Sequence, residues 1–228
     1  MDFSRVINDA LPLLLEGLKL TVLVSLASIA IGMVIGLFVC LMKMSKNIVL
    51  RAIAGVYIWI IRGTPMLVQA LIIFLGVPQL IQMAVKDFRF DAVTAGIITL
   101  SLNAGAYLAE IYRGGIMAVP KGQTEAARSL GLSKAKTMRK VVLPQALKFS
   151  VPSLVNQFII TIKDTSILTV IGMAEVVNKA QQYVGSTFVY FETYSIVALM
   201  YLAIISLLMV LSNYIEKKLK YEEKKSGK

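Results

Sequence analysis

The sequence predicts an all-α membrane protein with five transmembrane helices, and three observations predict it. Hydrophobic residues make up 57% of the 228, with a mean hydropathy of +0.74, whereas soluble domains are nearer half apolar. The uncharged runs are long: 20–42, 63–85 and 193–215 hold 23 residues each, and 92–109 holds 18. A 23-residue helix rises ~34 Å, enough to cross a hydrocarbon core of ~30 Å. The net charge of +11 is also sorted by loop. Segments 43–51, 113–148 and 216–228 carry 17 basic residues, and 1–19, 86–91 and 175–192 carry five basic and seven acidic. Basic loops stay on the cytoplasmic side, so five crossings place the N-terminus outside and the C-terminus inside. The charge is thus a topology signal rather than a nucleic-acid patch.

The spans follow in order, within a single domain covering 1–228. The first is expected over about 18–42, where Gly32 and Gly36 form a small-xxx-small pair that lets another helix approach. The second, about 51–85, is long and broken midway by Arg62-Gly63-Thr64-Pro65. The third, about 92–113, carries Asn103, Ala104-Gly105-Ala106 and Glu110. The fourth, about 149–172, is interrupted by Lys163-Asp164-Thr165-Ser166. The fifth, about 194–214, runs unbroken into a basic tail. The first apolar segment is too long for a cleaved signal peptide and is expected to remain as a helix.

Residue inventory excludes several chemistries. With no histidine, a His-based metal site or catalytic triad has no ligands. Cys40 is the only cysteine, so an internal disulfide cannot form. No G-x-x-x-x-G-K-[ST] loop is present, so ATP, if it powers this chain, must be bound by another subunit.

A coupling loop is expected over about 120–143, between spans three and four. Pro120 opens a short helix, Gly131 stops it, and Ser133 caps the next piece. Ala126, Ala127 and Leu130 are expected on one face, small enough to sink into a partner's cleft, with Glu125 and Arg128 paired across a turn. The second piece should turn Leu132, Ala135, Met138, Val141 and Val142 to the membrane, and Lys134, Lys136, Arg139 and Lys140 to water. Amphipathicity alone equally describes a helix lying on anionic headgroups.

Charges within a bilayer are costly and mark function by default. Arg62 falls near mid-membrane, and the half-helix after Pro65 aims free N–H groups at that level, suited to a carboxylate. Gly63, Thr64 and Gln69 complete that end. Glu110 and Asp164 suit a cation at the other, with Asn103, Thr165 and Ser166 as neutral partners. The plainer readings are a proline kink with Arg62 paired to Glu110 or Asp164, and a Glu110–Arg113 bridge.

Glu125-Ala126-Ala127 with Gly131, nine residues lying between it and Val141, and then Leu143-Pro144, resembles the EAA loop of bacterial ABC importers. Val141 departs from the usual isoleucine while keeping its shape. Arg62-Gly63-Thr64-Pro65 with Leu67-Val68-Gln69, Tyr112-Arg113-Gly114-Gly115-Ile116 and Ile162-Lys163-Asp164-Thr165-Ser166 are similar to signatures of polar amino acid ABC permeases of the histidine, arginine and glutamine group. The similarity spans nearly the whole chain. It implies a multi-pass permease in the bacterial inner membrane that is not itself an enzyme and binds no cofactor. It also implies a second copy or homologue, ATP-binding subunits that hold ATP and Mg, and an external solute-binding protein. The two acids favour a basic amino acid. The rivals are an ATP-independent channel or secondary carrier, and a scaffold.

Overall fold

The structure, a computed structural model, describes residues 3–226, with side chains to 218. Helices and connecting loops account for all of the described residues. Four helical stretches are long and apolar enough to span a bilayer, and a bent helix pair makes a fifth.

Helix α1 (Phe3–Asp9) leads into α2 (Leu11–Lys43), which starts seven residues before the span expected over about 18–42. Glu16 and Lys19 are absorbed because the helix projects beyond the apolar layer: 33 residues rise ~50 Å. Along one face, Gly17, Thr21, Ser25, Ser28, Gly32 and Gly36 are all buried. Their spacing of three and four forms a continuous stripe. Thr21 and Ser25 donate their hydroxyls to the carbonyls four residues back, at 3.1 and 2.7 Å, so they cross the core without an unmet donor.

At Gly32 and Gly36 that stripe packs on α6 (Ala92–Ala118). A Cβ on Gly36 would lie 2.7 Å from Leu108 Cβ, and one on Gly32 3.0 Å from Ala104 Cβ. From the other side, a Cβ on Gly105 would meet Ile35 Cγ2 at 2.6 Å. The helix backbones can approach this closely only because the side chains are missing at these levels. Asp91 caps α6, accepting from the backbone N–H groups of Val93 and Thr94.

The second span is broken more sharply than a kink. Helix α3 (Ile48–Gly63) and the run Met66–Ile81 meet at 107°. That run comprises α4 (Met66–Leu71), a π-helical turn and α5 (Val77–Ile81). A second π turn, Met138–Val142, follows α8 (Lys134–Thr137) and precedes α9 (Leu143–Asp164). Both π turns end two residues before a proline, Pro78 and Pro144. A proline ring crowds the carbonyl four residues back and offers no N–H, and widening the turn relieves that. Gln145 Nε2 then donates to Val141 O at 2.9 Å.

The fourth span is therefore longer than expected, running unbroken from Lys134 through a 3-10 segment, Thr165–Ile171, that stops at Gly172. After it comes α10 (Val176–Thr187), a helix the hydropathy reading did not foresee. Its start lies against Gly17, where a Cβ would come within 2.8 Å of Val176 Cα. Lys179 Nζ reaches Glu16 Oε2 at 3.1 Å. The last helix, α11 (Tyr190–Ser226), packs on α9 and α10 and is largely exposed, Leu207 at 70%.

Candidate functional site

Three of the named residues meet at the break in the second span. Gln69 Nε2 donates to Ile61 O at 2.7 Å, to Thr64 O at 3.1 Å and to Thr64 Oγ1 at 2.9 Å. Its Oε1 accepts from Asn103 Nδ2 on α6 at 3.1 Å. Gln69 and Asn103 were expected to offer hydrogen bonds to a solute. Their amides instead bind each other and the carbonyls that the break leaves open, because a bent backbone in an apolar layer must satisfy those groups internally. Helix α4 starts directly after Pro65, and its first bond runs from Gln69 N to Pro65 O at 3.2 Å. The N–H groups of Met66, Leu67 and Val68 have no partner within the helix.

Arg62 lies on the exposed side of the break, its guanidinium 5.0 Å above the Tyr107 ring. It opens onto a groove of about 360 Å³ lined by α6 and α9, with Glu110, Gly114, Phe149, Ser150 and Ser153 among its walls. Gly115 makes the groove's floor possible. Ser150 Oγ lies where its Cβ would be, and Ser150 donates to Ala146 O at 2.9 Å. Arg62 forms no ion pair with Asp164 or Glu110 among the described residues.

Glu110 is paired elsewhere. Arg113 Nη2 sits 2.6 Å from Glu110 Oε2, and Arg113 Nε donates to both carboxylate oxygens at 3.1 and 3.3 Å. One turn of helix separates the two, so the bridge is local and needs no tertiary contact. Its geometry leaves one acid fewer for a cationic solute.

The segment Asp164–Ser166 stands apart from this groove. Thr165 is buried and donates to Ile162 O at 2.7 Å; Ser166 Oγ donates to Lys163 O at 2.7 Å. Both hydroxyls close the turn from α-helix to 3-10 helix, which accounts for the interruption seen in hydropathy. Asp164 is half-buried at that junction. The nine residues expected to form one solute site thus divide into a bend latch, a groove and a helix end. Tyr107, Phe149, Ser150 and Ser153 were missed. Ser150 and Ser153, at i and i+3 and so on one face of that helix, were the available signal.

The polar loop forms a helical hairpin. Helix α7 (Lys121–Ser129) ends as expected at Gly131, whose φ of +81° is left-handed. Leu132 N donates to Ala127 O at 3.2 Å and Gly131 N to Arg128 O at 3.0 Å, closing a Schellman turn. Ser133 then caps α8, accepting from Lys136 N.

Three details differ from expectation. Ala127 does not share a face with Ala126 and Leu130: it is 6% exposed and turned onto the chain's own π turn, whereas Leu130 is 82% exposed. Neighbours in a helix lie ~100° apart, so Ala127 turns inward while Ala126 faces out. Arg128 Nη1 donates to Leu132 O at 2.8 Å rather than pairing with Glu125, since the turn's open carbonyl is a nearer acceptor. In the second piece Ala135 faces outward and Thr137 inward. Glu125, Ala126, Leu130 and Gly131 remain on the outer surface.

A bundle of apolar helices, a groove opening beside Arg62 at the break in the second span, and a basic hairpin at one end define a membrane-embedded transport component. A family described as "Binding-protein-dependent transport system inner membrane component" matches residues 28–221, and the chain belongs to that family. The glutamine transport system permease protein of Escherichia coli K12 is 41% identical over 219 residues, covering 96% of this chain and 98% of that protein. The arginine transport system permease protein of Bacillus subtilis is 38% identical over 220 residues, with the same coverage. A crystal structure of an amino acid ABC transporter with histidines superposes with a TM-score of 0.89 at 40% identity, over 96% of this chain and 99% of that one. The reading as an ABC permease therefore stands over that of an ATP-independent channel or carrier.

Proposed function

We propose that this chain is the membrane half of an ATP-driven importer for a polar amino acid, working by alternating access. Two copies, or this chain and a homologue, would enclose a path along the groove beside Arg62. An ATP-binding subunit, holding ATP and Mg, would grip Glu125, Ala126 and Leu130 on the hairpin. A solute-binding protein would deliver the amino acid from outside, with the N-terminus on that side and the C-terminus in the cytoplasm, as the loop charges favour.

The observation that carries this reading is the hairpin. Gly131 closes α7 and leaves Leu130 standing out at 82% exposure beside the basic α8, uncovered by the described residues. The two π turns fall in the broken span and at the base of the hairpin, the places where a partner would bias one packing over another. Arg62 and the free N–H groups after Pro65 suit the solute's carboxylate. Its side-chain end is less constrained, since Glu110 is held by Arg113 and the preference for a basic solute rests on Asp164.

Reconstitution with the ATP-binding subunits tests the reading. Gly131→Asp forces a side chain into the left-handed region, at a cost of roughly 1–2 kcal/mol, and should uncouple ATP hydrolysis from uptake while leaving the helices inserted. ATP-dependent uptake at the wild-type rate in that variant would remove the hairpin's assigned role.

A further inference from the structure

Between Glu16 and Asp87 the chain has no acidic residue, yet Lys43, Lys46 and Arg51 stand together where α2 ends and α3 begins. None of the three has an ion-pair partner among the described residues. Two of them converge on one notch. Gly55 leaves the flank of α3 bare, and Lys43 Nζ lies over it: a Cβ there would come within 2.9 Å of that nitrogen. Arg51 is one turn away on the same face. Ile48, Val56 and Trp59 continue the wall of a notch of about 360 Å³. The wall is apolar and open, with Ile48 64%, Val56 54% and Trp59 74% exposed.

Depth along the helix sorts these residues. The loop 44–47 lies at the membrane surface, because the helices on both sides run inward from it. Arg51 is a turn below the start of α3, and Trp59 is ~12 Å deeper, at the level of acyl chains. Cations at the surface above an aromatic and aliphatic wall match the layout of a phospholipid. We propose that this notch holds the headgroup phosphate of an anionic phospholipid, with one acyl chain lying along Val56 and Trp59. Arg51 supplies a planar fork for two phosphate oxygens, and Lys43 a point charge from the opposite wall. If the basic residues served only to set topology, their number would matter and their convergence on Gly55 would not.

Native mass spectrometry of the intact transporter, permease with its partner subunits, measures the lipid it retains. Phosphatidylglycerol should be held by the wild type and phosphatidylcholine lost. The double variant K43Q/R51Q should hold phosphatidylglycerol about thirtyfold more weakly, and Lys46→Gln as wild type. Gly55→Leu fills the notch without changing charge and should also release the lipid, which keeps the test valid if the double variant fails to fold. Equal retention of both lipids, or undiminished retention in Gly55→Leu, would overturn the assignment. So would a disulfide between two copies through Trp59→Cys, because a second copy would then cover the notch.

Discussion

Asn103 Nδ2 and Gln69 Oε1 share a hydrogen bond of 3.1 Å that ties the bend of the second span to the middle of the third. Gln69 Nε2 also donates to Ile61 O, Thr64 O and Thr64 Oγ1, and Thr64 Oγ1 donates to Ile60 O at 2.8 Å, so two side chains meet the carbonyls exposed by a 107° turn. The groove beside Arg62 takes its position from that turn. A buried acceptor left unmet costs about 1–3 kcal/mol. Gln69→Leu should therefore lower stability by about 2–4 kcal/mol, read as a fall in unfolding temperature in detergent. An unchanged midpoint would mean that the bend is held by packing alone.

The contact between α2 and α6 makes a second prediction. At Gly36 a methyl group would fall 2.7 Å from Leu108 Cβ, between two rigid backbones. Gly36→Ala should destabilise by about 1–3 kcal/mol. Gly122→Ala, in a helix with nothing within 4 Å of the added Cβ, should stabilise slightly by helix propensity. Paired thermal melts distinguish them, and similar shifts would rule out close packing as the cause.

Glu175 predicts a pH dependence. It is wholly buried before α10, its Oε1 accepting from Asn178 N at 2.8 Å and its Oε2 from the Tyr201 hydroxyl at 3.4 Å. Burial pushes its carboxyl above the ordinary glutamate range. The unfolded chain releases this proton near ~4.3, and the folded chain does so at higher pH. The folded state then binds more protons across that interval, so the contribution is complete below the unfolded value and lost as pH rises through the folded one. Glu175→Gln keeps an acceptor for the cap without the charge. Its unfolding temperature should exceed that of the wild type at neutral pH and converge with it at acid pH. A constant gap across pH would assign the effect to packing.

The division between Glu110 and Asp164 can be tested on solute choice. Because Arg113 neutralises Glu110 locally, Glu110→Gln should change arginine and glutamine uptake by the same factor. Asp164→Asn should lower arginine uptake more than glutamine uptake. Competition assays in proteoliposomes read both, and a selective effect of Glu110→Gln would reverse the assignment.

Composition and spacing alone determined the class, the five apolar segments, the break at Arg62–Pro65, the stop at Gly131 and the cap at Ser133. These depend on transfer free energy and on local backbone geometry, which act over a few neighbouring residues and are written in their identities. The Glu110–Arg113 bridge was legible for the same reason, being one helical turn long. Only the tertiary structure decided that Gln69 turns to Asn103, that Ala127 faces its own chain, that Glu175 is buried, and that Tyr107, Ser150 and Ser153 line the groove beside Arg62. Each of those depends on which element lies opposite, and residues as far apart in sequence as Gln69 and Asn103, 34 positions, carry no local signal of meeting. Helix α10 lies between the two cases. Val176, Ala180 and Val184 recur every fourth residue, yet their burial against α2 and α11 was needed to make a short polar helix a fixed part of the fold.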